Sequence, residues 1–229
     1  MIVAPPPVAL SASPPRVVLA GASSEAIQVT NAGRRIAVVT VAPAGFALDL
    51  RGRPRVVQVR GRPLFEVRPR RLELPPRQTA VLTVSAASLR TTPPGDHAAL
   101  VLLTTRPLAG NGIAVRMRLG VVVIVRVPGV LVHRVEVRAV RVRRRGVLYL
   151  SVANRGNASE RIAPGRLRVT LVRSGLVLAR LLAVPRELLP GTRGVVELRY
   201  RGRIRGRVEA RVELILGRRV VRRLFVLRF

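Results

Sequence analysis

The sequence predicts an all-β protein made of two tandem sandwich domains joined by a short linker. Three observations carry this expectation. Apolar and polar residues alternate along most of the chain, as in Val115-Arg-Met-Arg-Leu119 and Val208-Glu-Ala-Arg-Val-Glu-Leu214. Period 2 puts alternate side chains on opposite faces of a strand. Gly and Pro interrupt these runs at intervals of about 8–12 residues, the spacing of sandwich strands and turns. Finally, one phrase is written twice: I-Q-V-T-N-A-G-R-R at 27–35 and L-S-V-A-N-R-G-N-A at 150–158. Each copy is an alternating strand that runs into Asn-x-Gly, followed later by a Pro-led turn and further strands.

The first domain is expected over 8–128. Its strands are predicted at Arg16–Ala20, Glu25–Asn31, Ile36–Ala42, Leu64–Val67, Thr79–Ser85, His97–Thr105 and Ile113–Val127. Between Leu48 and Pro63 an arginine-rich stretch with two Gly-Arg-Pro triplets reads as an edge strand with turns. The second domain is expected over 129–229, after a hinge at Pro128-Gly129. Its strands are predicted at Leu131–Arg143, Val147–Ala153, Gly165–Arg173, Leu176–Val184, Val195–Tyr200, Arg205–Leu216 and Arg219–Leu227. Asn31-Ala-Gly33 and Asn154-Arg-Gly156 are expected to end strands with residues that tolerate positive φ. Ser174-Gly175 and Leu216-Gly217-Arg218 are expected as tight hairpins.

The 229 residues suit two domains of ordinary size. Apolar residues make up 48% of the chain and aromatics 3%, so the cores must be Val, Leu, Ile and Ala. Cysteine is absent, which excludes disulfides, thiolate metal sites and cysteine nucleophiles. The apolar runs Ala98–Leu103 and Val121–Val125 are too short to span a bilayer as helices, so no membrane span is expected. The opening M-I-V-A-P-P-P has no basic segment and no sustained apolar core, so it does not read as a signal peptide.

The net charge is +31, from 42 basic residues against 11 acids, and every basic residue is arginine. A GC-rich genome accounts for part of that arginine, but not for the shortage of acids. A preference for anionic partners follows. The candidate contact residues are Arg51, Arg53, Arg55, Arg60 and Arg62 in the edge stretch, Arg143, Arg144 and Arg145 before a turn, and Arg203, Arg205 and Arg207 around a Gly-rich turn. Guanidinium forks match phosphate and carboxylate oxygens. The other reading is a solvated outer sheet face that blocks edge-to-edge aggregation.

No catalytic motif is present, and no cofactor or metal site is expected. Asp96-His97 is adjacent at the mouth of a strand, so the two side chains face opposite ways; a turn-forming Asp and a strand-edge His are expected. Glu136, Glu197, Glu209 and Glu213 alternate with apolar residues and are expected to pair across strands with arginine.

Several phrases resemble a known group: I-Q-V-T-N-A-G, V-R-P-R-R-L-E-L-P-P-R-Q-T-A-V-L-T-V, P-P-G-D-H-A-A-L-V-L-L-T-T and R-L-G-V-V-V-I-V-R-V-P-G, with V-A-N-R-G-N and E-L-L-P-G-T in the second domain. They resemble the bacterial cell-surface family of tandem immunoglobulin-like domains that includes the WxL-interacting proteins. More distantly, they are similar to the pilus-chaperone superfamily. The resemblance implies two immunoglobulin-like sandwiches in a non-enzymatic, exported protein at the cell surface. The expected partner is an anionic wall polymer or a surface protein, with other polyanions as further candidates. An alternative is a periplasmic chaperone-like protein that donates a strand to pilin-type subunits, using Ile113–Val127 as the donor edge. Arg126 and Arg134 would then hold a client carboxylate. A third reading, nucleic-acid binding, rests on charge alone.

Overall fold

The structure is a computed structural model that describes residues 9–58, 61–87, 91–106, 116–144, 146–217 and 219–229. Its described elements are all strands. The chain divides into two compact units, one of residues up to Ala47 with Arg55–Gly129, the other of Leu48–Pro54 with Val130–Phe229.

The first unit holds β1 (Leu10–Ser13), β2 (Arg16–Ala20), β3 (Ser24–Asn31), β4 (Ala37–Leu48), β5 (Pro54–Val57), β6 (Phe65–Arg68), β7 (Arg71–Leu74), β8 (Thr79–Ala86), β9 (Gly95–Thr105) and β10 (Arg118–Val127). One sheet runs β1-β3-β8-β6; the other runs β2-β10-β9-β4-β5, with β7 also on β4. The strands β1 and β2 are nearly continuous in sequence yet lie in different sheets. The pairs β1–β3, β3–β8, β6–β8, β4–β7, β4–β9 and β9–β10 are antiparallel, and β2–β10 is parallel. Alternation fills the space between the sheets: Val17 and Leu19, Ile27 and Val29, Val39 and Val41, Leu82 and Val84, Leu103, and Val121, Val123 and Val125 are buried together around Phe65.

The second unit holds β11 (Val135–Arg144), β12 (Val147–Asn154), β13 (Glu160–Ile162), β14 (Leu167–Arg173), β15 (Leu176–Ala183), β16 (Arg186–Leu188), β17 (Arg193–Arg199), β18 (Arg207–Leu216) and β19 (Arg219–Arg228). Seven strands follow the order β11-β12-β17-β15-β14-β18-β19, and β13 pairs with β16. The strand β15 joins the two layers: Leu176–Leu181 pairs with β14, while Leu182 and Ala183 pair with β17. Leu148, Leu150, Val152, Leu171, Val196, Leu198, Val212 and Leu214 form the core between them. Ser174-Gly175 is a two-residue hairpin with φ of 45° and 83°, as expected.

The doubled phrase has the same role in both units: it ends β3 at Asn31 and β12 at Asn154, as expected, but without positive φ. Neither Asn31 nor Asn154 has positive φ; among non-glycine residues that conformation falls to Arg77 (63°) and Ser174. Both asparagines are instead fully buried polar hubs. Asn31 Nδ2 donates to Arg35 O and Leu74 O, both at 2.8 Å, and its Oδ1 accepts from Gly33 N at 2.9 Å. Asn154 Nδ2 donates to Ala158 O at 2.7 Å and Leu188 O at 3.2 Å, and its Oδ1 accepts from Gly156 N at 2.9 Å. The short side chain hydrogen-bonds these carbonyls at a buried corner. The Pro-led turn that follows is also duplicated: Gln78 N donates to Pro75 O and Thr192 N to Leu189 O, both at 3.2 Å. The left-handed residue of that turn is Arg77 in one copy and Gly191 (69°) in the other.

Candidate functional site

The strand β10 lies between β9 and β2, and its pairing with β2 is incomplete. Along β9 it is paired from Arg118 to Val127, whereas β2 meets only Val122–Arg126. In an antiparallel pair the backbone groups of successive residues point alternately to the two sides. Thr105 N donates to Met117 O at 3.0 Å, so Met117, Leu119 and Val121 face β9. Val122 N donates to Pro15 O and Arg126 O accepts from Gly21 N, so the even-numbered residues face the β2 side. The N–H and C=O groups of Arg118 and Gly120 therefore meet no strand among the described residues. The Arg118 side chain is exposed, while Met117 and Leu119 are half-buried on the face that becomes core at Val121. Such an edge offers main-chain hydrogen bonds and alternate apolar side chains to an added strand. The first unit's other edges are short: β1, β5 and β6 have four residues each, and β5 opens on Pro54. Residues 113–115 of the expected donor edge lie outside the described residues.

Near the far end of β10, Asp96 is not a turn former. It lies within β9, its side chain fully buried, opposite Arg126 in the register. Arg126 Nε donates to Asp96 Oδ1 at 2.7 Å and a terminal nitrogen to Oδ2 at 3.1 Å. This bidentate bond holds the Arg126 pKa above its ordinary value, against the opposing effect of burial. Arg126 is thus committed within its own unit and is not a free anchor for a client carboxylate. Arg134 is exposed, and its carbonyl accepts from Arg155 N. His97 also lies within β9, opposite Val125, and its Nε2 is 2.8 Å from Pro93 O.

Other candidates resolve into structural roles. Asp49 Oδ1 accepts from Arg51 N and Arg53 N at 2.8 and 2.9 Å, closing a turn. His133 Nδ1 sits 2.7 Å from Oε1 of buried Glu160. No group of three His, Cys, Asp or Glu residues poised for a metal occurs among the described residues. Glu213 does pair across strands, with Arg222 at 3.1 Å and Arg168 at 3.5 Å. Glu197 and Glu209 instead bind Arg199 and Arg211 two residues on in their own strands, and Glu136 binds Arg138 and Arg155. Residues i and i+2 share a face, which is why the nearer partner wins. Hydrogen bonds from Arg155 and Arg138 hold the Glu136 carboxyl below the usual carboxylate range.

The arginine candidates separate. Arg55 and Arg62 are exposed in the first unit. Arg51 and Arg53 belong to the second unit, where they line a shallow pocket with Tyr149, Glu197 and Arg186. The sequence reading missed Arg186, which sits in the short strand β16. It is buried, donates to Asp49 O at 2.8 Å, and its pKa is lowered by desolvation. Arg143 and Arg144 end β11, while Arg203, Arg205 and Arg207 surround the turn before β18, and all five are exposed. Arg60 and Arg145 lie outside the described residues.

No protein-family model matches this sequence, and no curated protein sequence does. Solved structures do match, over nearly the whole chain. A chain from a chaperone–tip adhesin complex of CFA/I fimbriae biogenesis superposes with a TM-score of 0.57 at 12% identity, over 94% of this chain and 98% of that one. The YadV chaperone gives 0.54 at 11% identity, over 95% and 99%. The fold is two tandem immunoglobulin-like β-sandwiches. A chain from the Salmonella enterica SafA pilin complex with the SafB chaperone gives 0.50 at 13% identity, over 96% of each. These likenesses lie on the side of the pilus chaperones, the more distant of the two resemblances. The one to the WxL-interacting group finds no support in them, and none of the three is described as a wall-polymer binder.

Proposed function

We propose that the protein is an exported, non-enzymatic chaperone-like binding protein that lends the β10 edge to an incomplete pilin-type or adhesin subunit. One observation carries this reading: the β10 ladder runs on past β2, leaving Arg118 and Gly120 facing outward. The fold adds support, since structures with the same two sandwiches include chaperones and their complexes with a pilin or a tip adhesin. The subunit's strand would bond to the outward groups and cover Met117 and Leu119 with its own apolar side chains. A wall polymer would need only charge and leaves this edge unexplained.

Co-expression with a pilin-type subunit from the same organism tests the proposal. The expected result is an equimolar complex that Arg118→Pro weakens at least about tenfold, because proline removes the outward N–H. Arg118 N–H is not part of the β9 ladder, so the variant keeps its thermal midpoint. A complex that survives Arg118→Pro undiminished would sink the proposal, as would the absence of any complex.

A further inference from the structure

At one end of the second unit, exposed arginines gather without ion-pair partners among the described residues. Backbone and ring contacts draw this end together. Val147 is the register partner of both Arg144 and Arg199. Tyr200 N donates to Gly146 O at 3.1 Å, and its ring meets that of Phe229 edge-on with centroids 6.0 Å apart. Phe229 N donates to Gly206 O at 3.0 Å, and Arg207 is the partner of Arg228. Arg173 bonds the carbonyls of Arg205 and Arg207. Two sets of arginines that are far apart in sequence, Arg143–Arg144 and Arg201–Arg207, therefore share one surface.

On the sheet faces, part of the arginine is paired. There Arg138, Arg155, Arg168, Arg199, Arg211 and Arg222 each meet a glutamate. At this end Arg143, Arg144, Arg201, Arg203, Arg205 and Arg207 are exposed, and none forms an ion pair with an acid among the described residues. Like charges held this close repel unless an external anion screens them. Apolar groups lie among them: Ile204 and Phe229 are half-buried. A single-stranded nucleic-acid surface calls for exposed aromatic platforms, and Tyr200 is buried here; duplex DNA is separated by the test below. Arginine mixed with aliphatic tips suits a lipid headgroup layer, where guanidinium binds phosphate and the apolar atoms rest on the acyl boundary.

We infer that this end of the second unit is a contact surface for membranes rich in anionic phospholipids. It goes beyond the strand-lending reading and does not depend on it. The test is co-sedimentation of the full chain with phosphatidylcholine vesicles, with or without phosphatidylglycerol, at rising salt. Binding is expected only to the anionic vesicles and is expected to weaken with salt. Each arginine near such a surface is worth about fivefold. The variant R143Q/R144Q/R203Q/R205Q should lose on the order of several hundredfold, while the charge-matched R34Q/R35Q/R62Q/R106Q in the first unit should keep most of the binding. Inorganic phosphate at matched ionic strength should not compete. Equal losses in the two variants would overturn the inference, because binding would then follow net charge alone. Displacement by phosphate, or tighter binding to duplex DNA than to anionic vesicles, would overturn it too.

Discussion

Asn31 and Asn154 each hold a buried corner of a sandwich from inside. Their amide nitrogens bond the backbone carbonyls of Arg35 and Leu74, and of Ala158 and Leu188. Asn31→Ala and Asn154→Ala should each cost about 1–3 kcal/mol, the penalty of leaving buried acceptors unpaired. Asn154→Asp keeps the acceptor for Gly156 N but removes both donors, so it should be nearly as costly as alanine; urea unfolding reads both. The neighbouring turn gives a prediction of opposite sign. Arg77 has left-handed backbone, φ 63°, where the second copy has Gly191. Arg77→Gly should stabilise the chain by about 0.5–1 kcal/mol, since relief of the side-chain clash exceeds the added chain entropy. A lower urea midpoint for Arg77→Gly would contradict it.

At the scale of elements, the edges decide what the sheets can do. The strand β19 ends its sheet path and exposes Val220, Leu224 and Val226, a composition that invites pairing with another chain. Arg219, Arg222, Arg223 and Arg228 punctuate it, and charges on an edge oppose such pairing. Arg222→Val with Arg223→Val should therefore raise light scattering on concentration, while the single Arg222→Lys should not. The long strands were legible in the sequence because period 2 is a strong signal over seven or more residues, as in β14, β17 and β18. The short ones were not: β13 and β16 have three residues each, too few for a period, and they hold buried Glu160 and Arg186. The Arg126–Asp96 pair was hidden for another reason. Thirty positions separate the two residues, and only the β9–β10 register brings them together.

For the whole molecule, charge and function separate. The +31 net charge spreads over both units, yet the edge that carries the proposed function works through the backbone groups of Arg118 and Gly120 and the apolar side chains of Met117 and Leu119. Its alternation was readable from Val115 onward, but where β2 stops along it depends on the parallel pairing of residues a hundred positions apart. The most direct measurement is amide hydrogen exchange of the full chain with and without a pilin-type subunit. The account predicts that the amides of Arg118 and Gly120 exchange freely alone and slow by at least about tenfold in the complex, with little change at Leu119 and Val121, which already bond β9. Protection confined to any other part of the chain, with Arg118 and Gly120 exchanging as before, would contradict it.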